Sequence, residues 1–129
     1  MSFDYKEFEK FVDTYKKAAI EFDKFLNKFL IKCALDALGK TKKRTPVDTG
    51  GLKRNWFITR VMKKGDELVV WLYNSQDYAS FVEYGHTDRS RKNWVEGYFM
   101  ATISIEEVQR KIPQRFEREF EKFMLSLEV

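Results

Sequence analysis

The chain has 129 residues and a mass of 15.5 kDa, the size of one compact domain with one core. Hydrophobic residues make up 43% and charged residues 34%, with only 6 Gly and 2 Pro, which excludes disordered, collagen-like and linker classes. The net charge of +4 is mild, one Cys and one His give neither an internal disulfide nor a Cys/His zinc cluster, and no apolar run approaches the ~20 residues of a membrane span. The opening Met1-Ser2-Phe3-Asp4 lacks the basic-then-apolar order of a signal peptide, so the chain is expected in the cytoplasm when made. The outlying feature is the ring content: 12 Phe, 6 Tyr and 3 Trp, more aromatic surface than a solvated chain carries.

From Phe3 to about Leu38 there is no Pro or Gly. Phe8, Tyr15, Phe22 and Phe29 recur every seven residues, with Phe11, Ala18 and Phe25 in a second row, so residues 1–39 are predicted as a long amphipathic helix. Asp4 and Glu7 suggest a capping box, and Gly39 is the expected stop. About 35 residues make a rod of roughly 50 Å, whereas a compact chain of this length is about 36 Å across. Either the helix breaks, near Asn27 or Asp36, or a neighbouring subunit covers part of its stripe.

Residues 45–85 carry a turn, a hairpin and a short helix. Pro46 keeps Thr45 out of the helical region, Asp48 or Thr49 can cap a short helix beyond Gly50, and Leu52 and Trp56 lie on one face of it. Phe57 to Lys63 and Glu67 to Tyr73 are rich in β-branched and aromatic residues around a Lys64-Gly65-Asp66 turn. Val69 to Tyr73, apolar on both faces, suits a central strand. Tyr78 to Tyr84 reads as a short helix stopped by Gly85, and His86 to Asn93 as an exposed loop. A C-terminal helical segment occupies 97–129, where Pro113 either kinks one helix or starts a second. The fold class is therefore α+β: a long N-terminal helix, a small antiparallel sheet with a central hairpin, and a C-terminal helical segment packed on it.

No catalytic centre, cofactor site or metal site is expected. The carboxylates form no recognisable pair, His86 has no nucleophile-elbow sequence, and Gly50-Gly51 lacks the Lys-Ser/Thr of a phosphate loop. The sharper feature is charge: residues 40–64 hold nine basic side chains against one acidic. Lys40, Lys42, Lys43, Arg44, Lys53, Arg54 and Arg60, with Lys63 and Lys64, interleave with Trp56 and Phe57. They can form a phosphate-tracking surface with stacking rings, or simply a solvated helix end and a guarded strand edge. Arg89, Arg91 and Lys92 add a second basic group.

Three segments resemble a known family. Thr45-Pro46-Val47-Asp48-Thr49-Gly50-Gly51-Leu52-Lys53-Arg54-Asn55-Trp56 is similar to the Thr-Pro-Val-Asp-Thr-Gly-x-Leu-Arg-x-Ser-Trp signature of tailed-bacteriophage neck or tail-completion proteins. Tyr78-Ala79-Ser80-Phe81-Val82-Glu83-Tyr84-Gly85-His86 resembles their Tyr-Ala-x-x-Val-Glu-x-Gly-His/Thr segment. Trp94 to Met100, with Gly97 and Phe99, resembles the element before their C-terminal helix. Lys53 and Asn55 depart mildly from the pattern.

The resemblance implies a virion structural protein that is not an enzyme. It would complete the tail and join it to the DNA-filled head as a homo-oligomeric ring, expected to be sixfold, between head-closure and tail-terminator or tail-tube proteins. DNA would run in the lumen, and no membrane would be involved. Assembly would take place in the host cytoplasm, for a phage or a prophage-derived particle. The basic segment would then meet an acidic ring or DNA. The alternative is a small nucleic-acid-binding protein using 40–64. In the family reading the Thr45–Trp56 motif is mainly architectural, although a rigidly held turn can also be a docking surface.

Overall fold

A computed structural model describes residues 5–46 and 50–127. The chain is α+β, in the order α1 (Tyr5–Arg44), α2 (Gly50–Arg54), β1 (Trp56–Ile58), β2 (Met62–Lys64), β3 (Glu67–Val69), β4 (Leu72–Asn74), α3 (Ala79–Tyr84), β5 (Gly85–Thr87), β6 (Trp94–Glu96) and α4 (Met100–Ser126). Asp4 of the expected capping box, the expected caps Asp48 and Thr49, and Val47 lie outside the described residues, as do the side chains of Glu7, Phe8, Phe11 and Tyr15.

The frame is an antiparallel pair of long helices. Phe22, Phe25 and Phe29 of α1 interleave with Phe116, Phe120 and Phe123 of α4; Phe25 stacks on Phe123 at 4.8 Å between centroids, and Phe29 meets Phe116 edge-on at 5.4 Å. Such offset and T-shaped contacts suit the ring quadrupoles. Much of the Phe excess is thus a zipper between two helices rather than a globular core. Nearer the other end, Phe29, Cys33, Ala37 and Val108 bury together, and beyond them lies a second cluster of Leu52, Trp56 and Met100.

Helix α1 breaks at neither Asn27 nor Asp36, and Gly39 does not stop it. The last turns are held both from within the helix and from α4. Thr41 is fully buried and donates its hydroxyl to the Ala37 carbonyl at 2.7 Å. Arg44 bonds Ser104 at 2.9 Å and pairs with Glu107. These contacts outweigh the ~1 kcal/mol that an interior Gly costs a helix. Helix α4 likewise runs through Pro113 without a break, with Ile112 and Phe116 keeping their packing on either side of it.

The first hairpin differs from the expected central strand. Trp56, Phe57 and Ile58 pair with Asn74, Tyr73 and Leu72; Met62, Lys63 and Lys64 pair with Val69, Leu68 and Glu67. Between the two ladders the first arm has one residue more than the second, so the ribbon is bulged. Thr59 spans the irregularity: its N–H donates to the Trp71 carbonyl at 2.9 Å, and its hydroxyl accepts the Trp71 N–H at 3.0 Å. Gly65, at φ 59°, supplies the positive dihedral of the two-residue turn. Among the described residues no third strand covers the ribbon, so Val69 to Tyr73 is not central: Trp56 and Leu72 pack in the clusters against the helices, while Phe57, Trp71 and Tyr73 are exposed.

Residues 86–93 do not form a simple loop. Gly85, His86 and Thr87 pair with Glu96, Val95 and Trp94 in a second hairpin. Asp88 organises its tip, accepting from Ser90 at 2.5 Å and from Asn93 at 3.0 Å.

Candidate functional site

Two junctions hold the segments singled out in the sequence, and both sit at the α1 C-terminal end of the helix pair. The first is built from the Thr45–Trp56 motif. The Trp56 indole donates to the Thr45 hydroxyl at 2.9 Å, and that hydroxyl donates to the Thr41 carbonyl at 2.8 Å. Thr45 and Trp56 are buried, and Leu52 is fully buried. Asn74 donates to the Leu52 carbonyl at 2.7 Å, and Asn55 to the Gly51 carbonyl at 2.5 Å. The motif's hydroxyl, leucine and indole are therefore internal fastenings that tie the end of α1 to the hairpin. Gly50 begins α2, with Pro46 half-buried ahead of it.

The second junction joins α3 to α4. Phe99, at φ 48°, is the N-cap of α4 and contributes no side-chain bond. The missing acceptor comes from Glu83, whose buried carboxylate accepts the Ala101 N–H at 2.9 Å, the Thr102 N–H at 2.8 Å and the Thr102 hydroxyl at 2.7 Å. An anion is thereby placed on the unsatisfied N–H groups and positive dipole end of α4. Gly85 and Gly97 allow the approach. A Cβ on Gly97 would lie 2.6 Å from the Gly85 nitrogen, and one on Gly85 would lie 2.6 Å from the Val95 carbonyl oxygen. Gly85 also takes φ 93°. Val82 and Ala79 pack on the Leu52–Trp56–Met100 cluster, while Tyr78 is exposed.

The basic residues separate into two groups. Lys40 and Arg44 face Glu107, and their contacts there join α1 to α4. Burial alone would raise the Glu107 carboxyl, but the hydrogen bond and charge of Arg44, with the charge of Lys40, outweigh it and hold Glu107 below the usual carboxylate range. Lys43, Lys53, Arg54, Arg60, Arg89, Arg91 and Lys92 are exposed, Lys42 is half-buried, and none of these eight has an ion pair among the described residues. The expected interleaving of Trp56 with these cations is not present, because Trp56 is internal.

Of the two rings expected beside the basic segment Phe57 is exposed, and further exposed rings lie beyond that segment. Phe57 and Tyr73 pair across the first hairpin at 5.8 Å, and the Lys64 ammonium sits 5.3 Å over the Trp71 ring. A larger group surrounds the second junction: Phe81, Tyr84, Trp94 and Tyr98, each more than half exposed. The signal available was the alternation along 56–58 and the absence of a second strand pair to cover Val69 to Tyr73.

Nothing in these junctions assembles reactive groups. Among the described residues no group of His, Cys, Asp and Glu could hold a metal ion, and no helix is long and apolar enough to cross a membrane. Burial pushes the Cys33 thiol up, with Arg115 offsetting part of the rise, which disfavours a thiolate. His86 lies against Phe81, at 5.8 Å between ring centroids. The cleft at the far end of the helix pair has Phe25, Phe123 and Leu127 in its lining and is rimmed by Glu21, Lys24, Lys28, Glu119 and Lys122, so it is the charged edge of the Phe zipper.

No curated protein and no solved structure matches the chain. One family profile does, over residues 6–85, described as "Bacteriophage HK97-gp10, putative tail-component". The match covers α1, the Thr45–Trp56 motif, the first hairpin and α3, and ends at Gly85, where the second junction begins. With well over half of its length matched, this chain belongs to the HK97-gp10 family of bacteriophage tail components.

Proposed function

We propose that this tail component works in the neck of the particle, completing the tail and joining it to the DNA-filled head as one subunit of a ring, with six copies as the expected number. Its neighbours would be head-closure and tail-terminator or tail-tube proteins, and it would assemble in the host cytoplasm. The role is mechanical, carried by surfaces rather than by a reaction.

The observation that carries this reading is surface. The chain exposes 10291 Å², whereas a compact monomer of its mass exposes about 7,200 Å². Roughly 3,000 Å² is in excess, and it includes rings that a free monomer would ordinarily bury. A subunit with two mating faces would cover about 1,500 Å² on each, within the range of permanent assemblies. Head-to-tail contacts of this kind close into a ring when the rotation between copies closes.

The test is a particle lacking this chain. Filled heads and finished tails that accumulate separately, and join when the purified chain is added, are the expected result. Joined, infectious particles without the chain would refute the neck assignment. Reversing the charge of Lys42 and Lys43, and leaving Arg44 on Glu107, tests whether the basic segment meets an acidic ring or DNA. Unchanged particle yield would exclude an essential electrostatic contact there.

A second reading, nucleic-acid binding through 40–64, is supported by exposed Lys43, Lys53, Arg54 and Arg60 and by the exposed Phe57–Tyr73 ring pair. It loses Lys40, Arg44 and Trp56 to internal contacts. Binding to DNA that weakens steeply with salt, in a chain dispensable for joining, would favour it.

A further inference from the structure

The helix pair is unequal. Arg44 of α1 meets Ser104 near the start of α4, and Phe22 meets Phe123 near its end. The last helical residue, Ser126, therefore lies level with the region of Glu21 to Lys28, which it joins in lining one cleft. The preceding part of α1, Tyr5 to Ile20, runs on past α4 as a stalk of about 24 Å. Among its described side chains, Glu9, Lys10, Asp13, Thr14, Lys16, Lys17, Ala19 and Ile20 are exposed. The seven-residue repeat that places Phe22 and Phe29 against α4 continues in the sequence through positions 15 and 8, with 18 and 11 in the companion row. The seam is therefore written along the whole helix, but α4 fills only its C-terminal part.

The opposite end of the molecule carries the complementary deficit. Phe81, Tyr84, Trp94 and Tyr98 surround the α3–α4 junction, each more than half exposed. All three residues of β6 are exposed, and a lone two-stranded ribbon is marginal in water. The stalk and this aromatic face sit at opposite ends of the α1–α4 pair, so neither can cover the other within one chain. A second copy brings them together.

We propose that the stalk of one copy seats on the Phe81–Tyr84–Trp94–Tyr98 face of the next, making a directional contact between unlike surfaces. This rests on the ring reading above and specifies its mating faces. Pairing of one stalk with another would leave the aromatic face bare on every subunit and account for less of the excess surface. The unlike contact uses both surfaces at once on every subunit and repeats from copy to copy.

The test is a complementation of two full-length variants, with mass measured by light scattering. Thr14→Pro breaks the stalk at an exposed position and leaves the face intact. Tyr84→Asp with Trp94→Asp alters the face at exposed positions and leaves the stalk intact. Cooperative melting of both variants near that of the parent checks that the body is folded, and Thr14→Ala controls for loss of the threonine itself. The parent and Thr14→Ala are expected to associate beyond a dimer, each defective variant to remain at the mass of one chain, and an equimolar mixture to stop at two chains. Association of the face variant alone would overturn the proposal in favour of stalk pairing. A parent that stays monomeric at ~1 mM, where a millimolar contact is already half-formed, would also overturn it. That second result would leave the neck reading standing if particles still require the chain. Conversely, normal joining without the chain would remove the neck reading while a positive mixture kept the contact.

Discussion

Removing the Glu83 carboxylate tests whether α4 is started by a residue from another helix. Glu83 accepts two backbone N–H groups and one hydroxyl at 2.7–2.9 Å, and Phe99 supplies no cap of its own. Loss of a helix cap costs ~1 kcal/mol, and a partly buried charge at a helix end contributes up to ~2 kcal/mol. Glu83→Ala is therefore expected to destabilise by about 3 kcal/mol, near 10 °C in melting temperature for a domain of this size. Glu83→Gln keeps one oxygen but turns an amide N–H₂ toward N–H donors, and should lose about half as much. Urea unfolding followed by far-ultraviolet circular dichroism gives both values. Thr102→Val, combined with Glu83→Ala in a cycle, should show a coupling of ~1 kcal/mol through the hydroxyl bond. A Glu83→Ala protein within ~0.5 kcal/mol of the parent would refute the cap, and equal losses in Ala and Gln would remove the charge from the explanation.

Two glycines should respond to alanine with opposite signs. Gly97→Ala pushes a methyl against the Gly85 nitrogen and the Tyr84 carbonyl carbon, and is expected to cost more than ~2 kcal/mol in urea unfolding. Gly39→Ala points into open space within a helix and should stabilise by ~0.5–1 kcal/mol; a loss there would contradict the continuous α1. Phe25 touches the rings of Phe22, Phe29, Phe116, Phe120 and Phe123, so Phe25→Ala should cost about 3 kcal/mol by thermal melting, and a neutral result would dissolve the zipper. Glu107 and Asp88 are both held below the ordinary carboxylate range, Asp88 first by its Ser90 hydrogen bond and then by that from Asn93. Each binds fewer protons folded than unfolded, so its stabilisation is present above the ordinary value, ~3.9 for Asp and ~4.3 for Glu, and is lost as pH falls through the lowered one. The urea midpoint should fall on acidification below about pH 5, and less steeply in Arg44→Ala; equal slopes would exclude Glu107 as a source.

The sequence showed elements whose cause is local and hid those whose cause is distant. The Phe repeat revealed α1, and Gly65 revealed the first hairpin, because helical periodicity and a positive dihedral are properties of neighbouring residues. Gly39, a strong local stop, predicts an end to α1 that the structure does not have. The Arg44–Glu107 pair that overrules it depends on α4, about sixty residues away in the chain. The second hairpin was missed for the same reason. Thr87 to Asn93 has no aliphatic residue, and its ladder rests on the Gly85–Gly97 approach and on the Asp88 tip. Within the site, the spacing marks Leu52 and Trp56 as anchors but places both on one short helix, whereas α2 ends at Arg54 and Trp56 opens β1. The part played by Glu83 was not legible, since a carboxylate that caps a helix eighteen residues later leaves no pattern in its own neighbourhood.

The close approach of Gly85 and Gly97 has a consequence for what can change in this protein. The Gly85–Gly97 approach ties the second hairpin to the body at its base, while the tip is closed on itself by Asp88, Ser90 and Asn93. The α3–α4 cap therefore does not depend on the length of the tip, provided Asp88, Ser90 and Asn93 still close it. The ribbon is an exchangeable module: residues between Asp88 and Asn93 can be lengthened, recoded or made to carry an affinity tag while α3, α4 and their shared cap stay folded.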